Sequence, residues 1–222
     1  MKKIFALFFL LIMVMTFTAC GGENSAPEKK DAAQKIENQP VQNVNDNKKS
    51  LVVYYSRAGE NYQVGDIKKG NTKIVAEMIA QETGADMFEI TPAKPYPEKY
   101  EECTEIAKKE LSENARPEFI GNAENFEKYD TIFLGYPIWW SDLPMVVYTF
   151  LEKNDFSGKT IIPFCTSGGD YMTGKEQDIP KHAKGATMKD GIGIQGKLCQ
   201  DNPAAVQEQV KKWLSESGFS KK

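Results

Sequence analysis

The chain has 222 residues, with 28 Lys+Arg against 31 Asp+Glu and a formal net charge of −3. Charge of both signs is mixed along the chain without a basic cluster, which argues against nucleic acid as a partner. Beside Cys20, the cysteines Cys103, Cys165 and Cys199 form an odd, widely spaced set. That set gives no metal spacing and no readable disulfide framework, although one disulfide of undefined pairing fits an oxidising compartment.

Taken from its start, Met1-Lys2-Lys3 followed by Ile4 to Phe17 has the charged and apolar regions of an export signal peptide. The apolar run is too short to span a bilayer comfortably, and small residues follow it. Phe17-Thr18-Ala19-Cys20-Gly21-Gly22 resembles the lipobox of bacterial lipoproteins, with Phe17 where leucine is usual. The resemblance implies removal of residues 1–19, lipidation of Cys20, and a membrane-anchored lipoprotein on the extracytoplasmic face of the cell membrane. An ordinary secreted protein cleaved nearby is the other reading. Residues 20–49 are rich in Asn, Gln, Lys, Asp and Glu and nearly free of large apolar side chains. Such a segment buries too little to offset its ordering entropy and reads as a flexible tether. Residues 50–222 suit a single domain.

Within that domain, Leu51 to Tyr55 is a continuous apolar run, the pattern of a central parallel strand. Thr72 to Thr83 reads as a helix stopped by Gly84, and Asp86 to Thr91 as a second strand. A Pro- and Tyr-rich link leads to a charged helix from about Glu98 to Asn114. Thr131 to Leu134 is a third strand, which Gly135 and Pro137 are expected to end. Pro144 is expected at the first-turn position of a helix running from Met145 to Lys153. Lys159 to Phe164 is a fourth strand, and a glycine-broken stretch from Gly174 to Gly185 leaves room for a short helix. Thr187 to Ile194, interrupted by Gly191 and Gly193, holds the last strand. Asn202-Pro203 then opens a helix with Val206, Val210, Trp213 and Leu214 on one face. Strand–helix alternation of this kind implies a mostly parallel sheet covered on both faces.

In such sheets ligands bind beyond the carboxyl ends of the strands. Three strand ends here carry ligand chemistry. The first leads into Ser56-Arg57-Ala58-Gly59-Glu60-Asn61-Tyr62 and then Gly70-Asn71-Thr72, where hydroxyls and free N–H groups at a helix start favour an anion. The third leads into Pro137-Ile138-Trp139-Trp140, whose indoles provide stacking faces. The fourth leads into Thr166-Ser167-Gly168-Gly169, where small residues let the backbone approach a ligand. A phosphate joined to a flat ring system would fit all three. Core filling by the tryptophans and simple helix capping by Asn71 or Thr72 are the bland alternatives.

The motifs S-R-x-G-E-N-Y at Ser56–Tyr62, G-N-T at Gly70–Thr72, P-I-W-W at Pro137–Trp140 and C-T-S-G-G at Cys165–Gly169 stand after successive strands. In that order they resemble a flavodoxin-like family. The resemblance implies an α/β three-layer sandwich, a five-stranded parallel sheet in order 2-1-3-4-5, and non-covalent FMN. By position, Ser56, Arg57, Asn71 and Thr72, with Gly59 in the same loop, would hold the phosphate. Pro137, Ile138, Trp139 and Trp140 would line one side of the isoalloxazine ring and Thr166, Ser167, Gly168 and Gly169 its other edge. The span from Glu60 to Lys69 departs from a short-loop flavodoxin and leaves open which end of the loop meets the phosphate.

The implied function is electron transfer through the flavin, with a redox protein or a small acceptor as partner. An FMN-dependent oxidoreductase of the NAD(P)H:quinone type and an exported ligand-binding lipoprotein without flavin are the alternatives. No catalytic acid or base is needed for electron transfer. His182 reads as a surface residue, Asp142 and Asp170 as loop polarity, Tyr62 and Tyr171 as secondary candidates to cover the ring, and Cys165 as small packing.

Overall fold

The apolar run at the start of the domain is buried along its length, with Val52 and Val53 fully excluded from solvent. In a computed structural model, which describes residues 49–169 and 171–219, this run is the strand Lys49–Tyr54 (β1). The export signal, Cys20 and the tether as far as residue 48 lie outside the described residues, as does Asp170. Asp86–Glu89 (β2), Tyr129–Pro137 (β3), Thr160–Ser167 (β4) and Ile192–Gln195 (β5) complete a parallel sheet with β1. Their spatial order is 2-1-3-4-5. The chain therefore turns to opposite sides of β1 when it adds β2 and β3.

Side chains alternate across the sheet and divide the core in two. Leu51, Val53, Ile132, Leu134 and Tyr136 face Val146, Val147, Phe150 and Leu151 of the helix Met145–Lys153 (α3). Val52, Tyr54, Phe133, Ile162 and Phe164 face the helices Asn71–Thr83 (α1) and Pro203–Glu216 (α4), through Val75 and Ile79 on one and Val206 and Val210 on the other. The helix Tyr100–Ser112 (α2) packs beside α3. The result is the three-layer α/β sandwich. Gly84 stops α1 in the left-handed conformation, with its N–H bonded to the Ala80 carbonyl. Asn202 caps α4 by accepting the N–H of Ala205.

Four details differ from the sequence reading. First, β3 does not end at Gly135 but continues through Tyr136 to Pro137. A Cβ on Gly135 would lie 2.1 Å from the Phe164 ring, so an aromatic side chain from β4 fills the place of the missing one. Secondly, Pro144 is the N-cap of α3, one position before its first turn. Thirdly, the fifth strand is interrupted earlier than its two glycines suggest. Thr187–Met188 pairs with the start of β4 and Ile192–Gln195 with its end. The Ile161 carbonyl accepts the Lys189 N–H, so by alternation Pro163, which has no N–H, also turns toward this edge. The break at residues 189–191 stands opposite that missing donor. Finally, the irregular span after β1 contains an antiparallel hairpin, Gly59–Asn61 with Gly65–Ile67.

Candidate functional site

The carboxyl ends of β1, β3 and β4 surround a cavity of about 480 Å³. It lies at the point where the strand order reverses.

One end of the cavity is the start of α1. Its N-cap, Gly70, offers no side chain, and Ser56 at the end of β1 supplies the cap instead, its Oγ accepting the Lys73 N–H at 3.0 Å. A Cβ on Gly70 would sit 2.2 Å from that Oγ and 2.6 Å from the Arg57 carbonyl, so glycine alone permits this approach. The two ends of the long loop thus meet at one place. The N–H groups of Asn71 and Thr72 have no acceptor within the helix, and both residues line the cavity. Thr72 Oγ1 lies 2.8 Å from Thr166 Oγ1 at the end of β4, in a buried pair. Asn71 Oδ1 accepts from Gln200 Nε2 at 2.7 Å, which fixes the amide from the short helix Gly196–Asp201.

The opposite wall is aromatic. Trp139 and Asp142 exchange two backbone hydrogen bonds of 2.9 Å, and the two residues between them, Trp140 and Ser141, have φ of 52° and 62°. That is the backbone of a tight primed turn, a conformation that favours glycine and asparagine over tryptophan. Asp142 holds its exit, accepting the Leu143 N–H at 2.8 Å and the Tyr148 hydroxyl at 2.7 Å. Burial, and then this bond to Asp142, pushes the Tyr148 phenol above its ordinary range. The adjacent tryptophans separate. Trp139 packs edge-on against Tyr96 and Tyr55, at 4.9 and 5.4 Å between centroids. Trp140 stands in solvent, its indole N–H donating to the Thr104 carbonyl and Lys108 lying 5.3 Å from its ring.

The third wall is the glycine loop. Ser167 Oγ both receives the Gly169 N–H and donates to the Gly169 carbonyl. The Ile138 N–H bonds the Thr166 carbonyl at 2.9 Å, tying this loop to the tryptophan turn.

Of the candidate residues, Ser56, Arg57, Asn71, Thr72, Pro137, Ile138, Trp139, Trp140, Thr166, Ser167, Gly168 and Gly169 all line this one cavity. Gly59 does not. It has φ of +82°, and a Cβ there would meet the Glu98 backbone at 2.7 Å, so it serves the frame of the loop. Arg57 lines the cavity while its guanidinium donates to the carbonyls of Pro97, Glu98 and Glu60. The sequence reading missed the wall provided by α2, where Tyr100, Cys103, Thr104 and Ala107 face the cavity. Their spacing of i, i+3, i+4 and i+7 is a helical stripe legible in the sequence, but its direction is not. Tyr62, Tyr100, Trp140 and Tyr171 are 58, 36, 51 and 59% exposed, and all four ring the opening.

Cys103, Cys165 and Cys199 are buried free thiols. Burial pushes the Cys165 thiol up to about 12, consistent with packing. His182 is half-buried at the surface, away from the cavity lining: its Nδ1 lies 2.7 Å from Glu152 Oε1 and its ring meets Tyr148 edge-on at 4.5 Å.

Residues 49–217 match the family model described as flavodoxin. The chain belongs to the flavodoxin family. Among solved structures it is similar to a protein from Bacteroides uniformis classed as a flavoprotein, with 30% identity, a TM-score of 0.61, and coverage of 76% of this chain and 98% of that one. A Bacteroides eggerthii protein of the same class shares 28% identity over 76% of this chain and 96% of its own, with a TM-score of 0.60. The fold is also that of a Lactobacillus acidophilus flavoprotein solved in complex with FMN, at 21% identity, a TM-score of 0.52, and coverage of 69% and 97%. Comparison with curated proteins finds no match. In this flavodoxin-family chain the helix start, the aromatic turn and the glycine loop meet around a single cavity.

Proposed function

We propose that the protein binds FMN in this cavity and works as an electron-transfer flavoprotein on the outer face of the cytoplasmic membrane, held there by lipid on Cys20. The observation that carries the reading is the union, in one cavity, of a helix start with free N–H groups and a wall of aromatic rings. The first suits a phosphate and the second a planar ring.

The residues fit the group. Gly70 is a cradle that a Cβ would fill, and the Asn71 and Thr72 N–H groups with the Thr72 hydroxyl form an anion site. Ser56 shapes that site by capping α1. Trp139, braced by Tyr55 and Tyr96, and the backbone of Ser167 to Gly169 offer apolar and polar edges to a flat ring. When bound, FMN supplies the redox chemistry, and the protein binds, orients and shields it. Among the described lining residues there is no carboxylate and no imidazole. Together with the N–H groups at the start of α1, that suits an anionic ligand. The lipid anchor and the location rest on the sequence of residues 1–20.

The visible spectrum of the purified protein, before and after adding FMN and removing the excess, tests the reading. Retained flavin absorbance is the expected result, and a folded protein that retains none overturns it. NAD(P)H oxidation assayed with and without quinones then separates a reductase from a carrier.

A further inference from the structure

We propose that Arg57 and Glu60 are positioning residues that latch the hairpin Gly59–Ile67 across the mouth of the cavity, making Tyr62 a lid over the ligand. The identity of that ligand rests on the FMN reading. The latch itself is read from the chain alone.

The strands of this hairpin pair only with each other and not with the central sheet. An isolated two-stranded hairpin is marginal in water, so its placement must come from contacts with its neighbours. Those contacts converge on the entry to α2. Arg57 Nη1 donates to the Pro97 carbonyl at 2.9 Å and the Glu98 carbonyl at 3.0 Å, and Nη2 donates to the Glu60 carbonyl. The Glu60 N–H bonds the Glu98 carbonyl at 2.8 Å. The N-cap of α2, Lys99, makes no side-chain cap; the Glu60 carboxylate accepts the Tyr100 N–H at 3.1 Å and the Lys99 ammonium at 3.3 Å in its place. Those two donors hold the Glu60 carboxyl below its usual range, so the cap is charged at neutral pH. One guanidinium fork thus joins three carbonyls, a geometry that the point charge of lysine does not reproduce.

The latch determines where the hairpin tip lies. Tyr62 stacks on Tyr100 at 6.0 Å between centroids and 27° between planes. On the other side the tip meets the glycine loop, where a Cβ on Gly168 would lie 3.0 Å from Gln63 Oε1 and 3.2 Å from the Tyr62 ring. Tyr62, Gln63 and Val64 all line the cavity. The hairpin therefore bridges from the α2 wall to the β4 wall. With its fork spent on carbonyls, Arg57 holds the lid and not the phosphate.

The test uses the full chain with Arg57→Lys, which keeps the charge but loses the fork, and Glu60→Gln. Cys103 is buried, lines the cavity and lies one turn along α2 from Tyr100, so its alkylation rate reports lid opening without any flavin. Mass spectrometry resolves it from Cys165 and Cys199. The expected result in each variant is a rise at Cys103 of about tenfold, as for loss of one charge-assisted hydrogen bond, with Cys165 and Cys199 unchanged. An unchanged Cys103 rate, or an equal rise at all three thiols, overturns the lid. In the second arm, FMN and riboflavin, which has no phosphate, are released from the wild type and from Arg57→Lys. Release of both faster by the same factor supports the latch, whereas a loss confined to FMN overturns it and makes Arg57 a phosphate ligand. A wild-type protein that binds neither flavin overturns the FMN reading, and the alkylation result then decides the latch by itself.

Discussion

Thr72 and Thr166 join their hydroxyls at 2.8 Å inside the protein, although they lie 94 residues apart in the chain. The first opens α1 and the second ends β4, so this bond fixes the anion end of the cavity against the glycine loop. Thr166→Val keeps the shape but leaves the Thr72 hydroxyl unpaired, at an expected cost of about 1–3 kcal/mol. Replacing both threonines by valine should come closer to neutral in stability, because no orphaned polar group remains. Denaturant unfolding of the two single variants and the double variant measures the coupling. The double variant should still lose FMN affinity, since Thr72 faces the proposed phosphate.

The two tryptophans should separate stability from binding. Trp139 is partly buried, braced by two tyrosine rings and packed against the core cluster, so Trp139→Ala is expected to cost about 2–3 kcal/mol of stability. Trp140 is exposed and loses one hydrogen bond, that to Thr104, so Trp140→Ala should cost about 1 kcal/mol or less. Flavin retention should fall in both. If Trp140→Ala holds flavin as the wild type does, Trp140 belongs to the rim and not to the ring site.

Gly135 and Phe164 make a further coupled pair. With the Phe164 ring 2.1 Å from the position of a Cβ, Gly135→Ala should destabilise by about 1–3 kcal/mol through overpacking. Adding Phe164→Leu to Gly135→Ala should recover part of that loss, which thermal unfolding of the two variants would show.

Acid stability should carry the mark of Glu152. Its oxygens receive Arg116 Nε at 2.7 Å and Nη2 at 2.8 Å, with His182 Nδ1 also at 2.7 Å. The Arg116 bonds above all hold its carboxyl at about 2, against an ordinary 4.5. A lowered folded-state pKa stabilises above the ordinary value and ceases to do so as pH falls through the folded one. The contribution is therefore full above pH 4.5 and lost toward pH 2. Because the pair is partly exposed, solvent screens it and the effect is modest. Unfolding midpoints followed across this range should fall less steeply for Glu152→Gln than for the wild type.

The local sequence determined the elements whose signals are local. The unbroken apolar runs at Leu51 and Thr131 mark strands covered on both faces, Gly84 ends a helix because only a residue tolerant of positive φ fits there, and Asn202-Pro203 starts one by capping. The motifs at the strand ends gave the family and most of the cavity lining. What only the tertiary structure decided depends on a distant partner. Gly135 reads as a break until Phe164 is seen to cover it, and the fifth strand breaks where Pro163 withholds a donor. The stripe from Tyr100 to Ala107 shows that a helix has a buried side, but not that this side faces a cavity. Arg57 reads from its loop as a phosphate candidate, and nothing local foretells that its guanidinium donates to carbonyls 40 and 41 residues further on. Periodicity records that a side chain is buried; it does not record against what, because that follows from chain segments brought together only on folding.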